Sequence, residues 1–105
     1  MPAATLINLF RVPPEREEEF LRLWEQADEL LRSASGYTST RLHRALQPDA
    51  QYRFINVAEL HSVDDWRAVI TSPEFTALAA KMSEFQPTPG LYAVARQHVA
   101  EPAEH

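Results

Sequence analysis

The sequence contains no cysteine. That removes a disulfide framework, a thiolate nucleophile, a zinc knuckle and a cysteine-held iron–sulfur cluster. Glycine is almost as scarce, with only Gly36 and Gly90, far apart in the chain. Neither a three-glycine dinucleotide loop nor a Walker-type phosphate loop can be built from them. Positive charge is also short: ten Lys and Arg stand against fifteen Asp and Glu, for a net charge of −5. Nucleic acid and anionic membrane both require a clustered basic surface, so neither is expected as a partner. No apolar run approaches the ~20 residues that span a bilayer. Met1-Pro2-Ala3-Ala4 has neither the positive start nor the long apolar segment of an export signal, and a cytoplasmic protein is expected. No G-x-S-x-G elbow offers a hydrolase serine, and no H-x-x-x-H pair offers a metal site, so no metal is expected.

What is present is the make-up of a soluble globular domain: 105 residues, 45% hydrophobic and 24% charged. The length fits one domain over 1–105, with a core of about 5–98 and a tail over 99–105. A chain this short buries only about 65% of its unfolded surface, so its core is small and gains from a partner.

Thr5 to Val12 is rich in β-formers and stops at Pro13-Pro14, where a ladder cannot continue. Glu15 to Ala34 follows, with Phe20, Leu23, Trp24, Ala27, Leu30, Leu31 and Ala34 forming one broad apolar helical stripe. Its acidic start suits the positive helix end, and Gly36 is placed as the residue that stops it. Tyr37 to Leu46 and Gln51 to His61 read as strands joined by the turn Gln47-Pro48-Asp49-Ala50. Ser62, with Asp65 three residues on, opens a helix that buries Val63, Trp66, Val69 and Ile70. Ser72-Pro73 restarts it, with Phe75, Leu78, Ala79 and Met82 as the apolar residues. Gln86 to Gly90 reads as a rigid loop, and Leu91 to Val99 as a fourth strand.

The order β-α-β-β-α-β predicts an α+β, ferredoxin-like fold with an antiparallel sheet. Such a sheet covers one face with its helices. Here both faces carry apolar residues: Leu6, Phe10 and Val12 oppose Ile7 and Leu9, and Phe54, Ala58 and Leu60 oppose Ile55 and Val57. Two apolar faces are expected where both are covered, and a second copy of the chain is the expected cover. A homodimer packed sheet on sheet follows.

Several side chains in this frame suit chemistry. Asn8 and Asn56 each sit inside an apolar strand, where an unbonded amide costs a few kcal/mol. Each is either an amide that sets strand register or a donor that polarises a substrate oxygen. His43 and His61 are the interior histidines, and an imidazole is a side chain that can remove a proton near neutral pH. Strict alternation places Arg41 on one face with Tyr37, Ser39 and His43, where it could hold a phenolate or pair with a surface acid. Phe10, Trp24, Trp66, Phe75 and Met82 are either plain core or the wall of a pocket for a flat aromatic ligand.

The text LINLFRVPPEREEEFLRLW, the turn SGYTSTRLHR and the segment YRFINVAELHSVDDWRAVITSPEF resemble the antibiotic biosynthesis monooxygenase family over about residues 5–98. The resemblance implies a dimeric α+β barrel. Some members oxygenate phenolic polyketides without metal or flavin, some degrade haem, and many have no known activity. Asn56 matches the asparagine that quinol-oxidising members use near the substrate oxygen. Their partner tryptophan falls at Leu60, and one of their aromatics at Trp66. Asn8 matches an asparagine of haem-degrading members, whose tryptophan and histidine fall at Val69 and Ala79. Without a histidine at 79, haem degradation is the weaker expectation.

The leading expectation is a cofactor-independent monooxygenase for an electron-rich phenolic or quinol-like compound, with O₂ as co-substrate and no cofactor. Asn56 and Asn8 would stabilise an oxyanion, and His43 would be the base. Trp66, Phe10, Trp24, Phe75 and Arg41 would hold the substrate. The alternative is a non-catalytic barrel that binds a hydrophobic metabolite or assists a biosynthetic enzyme.

Overall fold

The central strands bury one side of their alternation most deeply, and the two helical regions present apolar stripes that need the same cover. The computed structural model satisfies both needs by laying the helices across one face of a four-stranded antiparallel sheet. It describes residues 3–34 and 36–101. The strands are β1 (Ala4–Phe10), β2 (Tyr37–Arg44), β3 (Phe54–Leu60) and β4 (Thr88–Tyr92), in the order β2-β3-β1-β4. The helices are α1 (Glu17–Arg32), α2 (Val63–Ile70) and α3 (Pro73–Met82). The fold is thus the ferredoxin-like α+β arrangement that the element order predicts. Among the described residues no helix is long and apolar enough to cross a membrane.

The helix-facing side of the sheet holds the core. Phe20 of α1 stacks on Phe54 at 4.8 Å and meets Phe10 and Phe85 at 4.8 and 5.4 Å in tilted and edge-on contacts. A second buried group, Leu6, Ala58 and Leu60, lies toward the other end of β1 and β3, with Tyr37 and Trp66 packed on it. Between the two groups the strands carry Asn8 and Asn56, directly opposite each other. Local chemistry starts the helices where expected. Ser62 Oγ accepts from the Asp65 amide and Ser72 Oγ from the Phe75 amide, both at 3.3 Å.

Four expectations need correction. The fourth strand runs over Thr88–Tyr92, not Leu91–Val99. Its ladder on β1 runs from Leu9↔Thr88 to Thr5↔Tyr92, and β1 begins at Ala4, so residues from Val94 onward have no strand to pair with. Pro89 is tolerated inside it because β4 is an edge strand with one side free of partners. Second, α1 starts at Glu17, since Pro14–Arg16 forms a 3-10 turn ahead of it. Third, α1 ends at Arg32 with Ser33 as its cap, so Gly36 lies beyond the residue that stops the helix. It is needed instead for a close approach: a Cβ there would meet the Ser62 Cβ at 2.8 Å and the Ser62 amide nitrogen at 2.9 Å. Fourth, β2 does not alternate strictly against β3. Tyr37 pairs with Leu60 and Ser39 with Glu59, so Thr38 is an extra residue in the ladder. That bulge puts Tyr37 on the helix side while Ser39, Arg41 and His43 stay on the other. Of the tail expected over 99–105, residues 102–105 lie outside the described residues, as do Met1, Pro2 and Ser35.

Candidate active site

The space between the sheet and the helices is not filled. A cavity of about 310 Å³ opens there, walled by Leu6, Phe10, Leu31 and Ile70, by the aromatics Trp24, Trp66 and Phe75, and by Met82, Ala79, Pro87 and Pro89. The volume is at the lower end of small-molecule sites, and its walls are mostly apolar with a few polar groups set among them. Those polar groups are Asn8, Asn56, Asp28 and Thr76.

Asn56 is 6% exposed and its carboxamide is held in one orientation. Thr40, its helix-side neighbour on β2, donates from Oγ1 to Asn56 Oδ1 at 2.8 Å. With the oxygen occupied, the amino group is the end left for the cavity. Asn8 faces it from β1 and its Oδ1 has no partner among the described residues; the same is true of Trp66 Nε1. Both are buried atoms of cavity-lining side chains. An unsatisfied buried polar atom costs about 1–3 kcal/mol, and such atoms concentrate where a ligand is expected.

Asp28 is the ionisable side chain among the cavity-lining residues described, and it is 7% exposed. It lies on the apolar stripe of α1, one turn beyond Trp24 and three residues before Leu31. Its Oδ1 accepts from the Tyr37 hydroxyl at 2.5 Å, and the Arg32 guanidinium reaches Oδ2 at 3.2 Å from the solvent side. Burial, and then the hydrogen bond to Asp28, push the Tyr37 phenol well above its ordinary value of 10, so it stays protonated as a donor. The neighbouring Thr40 hydroxyl opposes that shift in part. Asp28, Tyr37, Thr40 and Asn56 therefore form one polar seam down the helix-facing side of the sheet.

The residues singled out from sequence divide between the two faces. Asn8, Asn56, Phe10, Trp24, Trp66 and Phe75 all line the cavity. His43 and Arg41 do not. They border a separate hollow on the opposite face with Ser39, Val57 and Glu59, because β2 pairs them with the outward residues Ile55 and Val57. The sheet stands between His43 and Asn56, so His43 cannot act as a base on a ligand held in this cavity of the same chain. Arg41 cannot hold that ligand for the same reason. His61 is exposed beyond the end of β3. Sequence reasoning missed Asp28, Tyr37 and Thr40. Asp28 could have been found, as a carboxylate at an apolar stripe position of α1. Tyr37 could not, since only the bulge turns it inward.

Comparison with known proteins places this geometry. The model of the antibiotic biosynthesis monooxygenase family matches residues 3–81. A candidate monooxygenase from Shewanella loihica PV-4 is 31% identical, with 90% of this chain and 96% of that one covered and a TM-score of 0.74. SnoaB, a cofactor-independent oxygenase from Streptomyces nogalater, shares the fold at 21% identity, with 96% and 100% covered and a TM-score of 0.74. So does a dimeric protein of unknown function from Bacteroides fragilis NCTC 9343, at 19% identity, 86% and 92% coverage and a TM-score of 0.64. No curated protein matches the chain. From the family model and the Shewanella relative together, the chain belongs to the antibiotic biosynthesis monooxygenase family.

Proposed function

We propose that the chain is a cofactor-independent oxygenase that oxidises an electron-rich phenolic or quinol-like compound held in the cavity between sheet and helices. The observation that carries this reading is the oriented Asn56 amide inside an aromatic-lined, largely apolar space. In such a reaction the substrate supplies the electrons. Loss of a proton gives a phenolate or enolate, which passes electrons to O₂ and adds it at carbon. Loss of water from the hydroperoxide then converts a CH₂ into a C=O, so that CH₂ + O₂ gives C=O + H₂O.

The residues present suit the protein's share of that work. The Asn56 amino group donates to the oxygen on which negative charge develops, at a place where few water molecules compete. Trp24, Trp66 and Phe75 hold a flat ring system by its faces and edges. Asp28 supplies the carboxylate among the described residues of the cavity wall.

The same reading includes a homodimer. The outer sheet face carries Ile7, Leu9, Ile55 and Val57 at its centre, partly exposed in the single chain. A second copy covers them best, as the dimeric Bacteroides relative suggests.

Oxygen uptake with anthrone and with a hydroquinone tests the chemistry. Turnover above the uncatalysed rate is expected, and Asn56→Ala should reduce kcat by about 10²-fold or more, as removal of an oxyanion donor does. No uptake above background with either compound sinks the proposal. Binding without turnover is the second reading, favoured by the absence from the cavity wall, among the described residues, of a histidine. Under it, Asn56→Ala leaves ligand affinity nearly intact and there is no rate to lose.

A further inference from the structure

We propose that Asp28 selects the charge of what this cavity accepts: a neutral or cationic aromatic compound that presents a hydroxyl or N–H donor, and not an aromatic carboxylate. Asp28 is the charged side chain among the described residues of the wall, in an otherwise apolar space. Its two oxygens hold four lone pairs, and the Tyr37 hydroxyl and Arg32 guanidinium use only part of that capacity. The remaining capacity is open to a donor on a ligand. Arg32 offsets this charge only in part for a ligand, because its side chain is 55% exposed, where water screens it, and it does not line the cavity. An anion entering the cavity meets a carboxylate across a poorly screened space and finds no Lys or Arg among the described residues of the wall to pair with. Tyr37, kept protonated, cannot serve as an alternative anion, and it spends its proton on Asp28 rather than on the ligand. Asn56 offers its amino group across the cavity, so a ligand with a hydroxyl at one end and a carbonyl or phenolic oxygen at the other would meet an acceptor and a donor in turn.

The inference rests on the oxygenase reading only for the aromatic nature of the ligand. Its test is calorimetric titration of the intact chain at pH 7 with three compounds sharing one ring system: 2-naphthol, 2-naphthylmethylammonium and 2-naphthoate. The naphthol and the ammonium are expected to bind, and the carboxylate to bind at least about tenfold more weakly than the ammonium. The two ions separate Asp28 from plain desolvation, which penalises both signs alike. Asp28→Asn should close the gap between the ions by weakening the ammonium and strengthening the carboxylate. Equal binding of the two ions to the native chain, tighter binding of the carboxylate, or no binding by any of the three overturns the inference. So does an unchanged gap in a folded Asp28→Asn protein. Where that variant fails to fold by circular dichroism, the order of the two ions on the native chain decides alone. Oxygen uptake is a separate readout. Its absence with the expected ion order sinks the oxygenase and spares Asp28, and the reverse pattern does the opposite.

Discussion

At the scale of single residues, the site is organised by a carboxylate that ought not to be where it is. Asp28 occupies a core position of α1, and a buried charge persists only when hydrogen bonds hold it. Tyr37 is the main support. Tyr37→Phe keeps the ring and removes the bond to Asp28, so it should lower stability by about 1–3 kcal/mol in urea denaturation. The same residue sets a pH dependence. The native state holds the phenol proton more tightly than the unfolded chain does, so its contribution is complete below pH 10 and declines as pH rises beyond it. Urea midpoints of the native protein should therefore fall above pH 10 by more than those of Tyr37→Phe. Parallel curves would show that Tyr37 is not the source. By contrast Arg32, largely solvent-exposed, adds little by its ion pair.

At the scale of elements, the junctions decide which side chains reach the cavity. The bulge at Thr38 reverses the facing of Tyr37 relative to the rest of β2. Gly36 sits just before it, bonded through its carbonyl to the His61 amide at 2.6 Å and pressed against Ser62 at the entry to α2. Gly36→Ala forces a methyl into backbone and Cβ atoms that have no long side chain to swing away. Overpacking of this kind costs about 1–3 kcal/mol, which thermal denaturation would read as a lower Tm. Because α2 carries Trp66, the same variant should also weaken naphthol binding. A glycine required only for a left-handed turn would show the first effect without the second.

At the scale of the molecule, the sheet has one face served by its own helices and another that is not. Ile7, Leu9, Ile55 and Val57 lie together on that second face through the β1–β3 register. Light scattering at micromolar concentration should give twice the mass of one chain. Ile7→Glu places a charge at the centre of the face and should give the mass of one chain with the circular dichroism spectrum kept. A native protein of single-chain mass would remove the dimer. His43 and Arg41 face the same way, away from the cavity.

Much of this was legible in the chain. The period-3.6 stripe from Phe20 to Leu31, the serine caps at 62 and 72, and the two-faced strands follow from spacing and side-chain chemistry, which act over a few residues. Asn8 and Asn56 stood out for the same reason, as amides inside apolar runs. What tertiary structure alone decided was facing and register. One inserted residue at Thr38 turns Tyr37 toward Asp28 and leaves His43 and Arg41 behind the sheet, because side chains alternate with a period of two and a single extra residue inverts them. The end of β4 was likewise set by where β1 begins, not by the β-forming residues Leu91 to Val99 themselves. The scarcity of cysteine and glycine narrowed the chemistry to side-chain donors, carboxylates and aromatics. Only the packing of helices over one sheet face brought a particular donor, carboxylate and aromatic wall around one cavity.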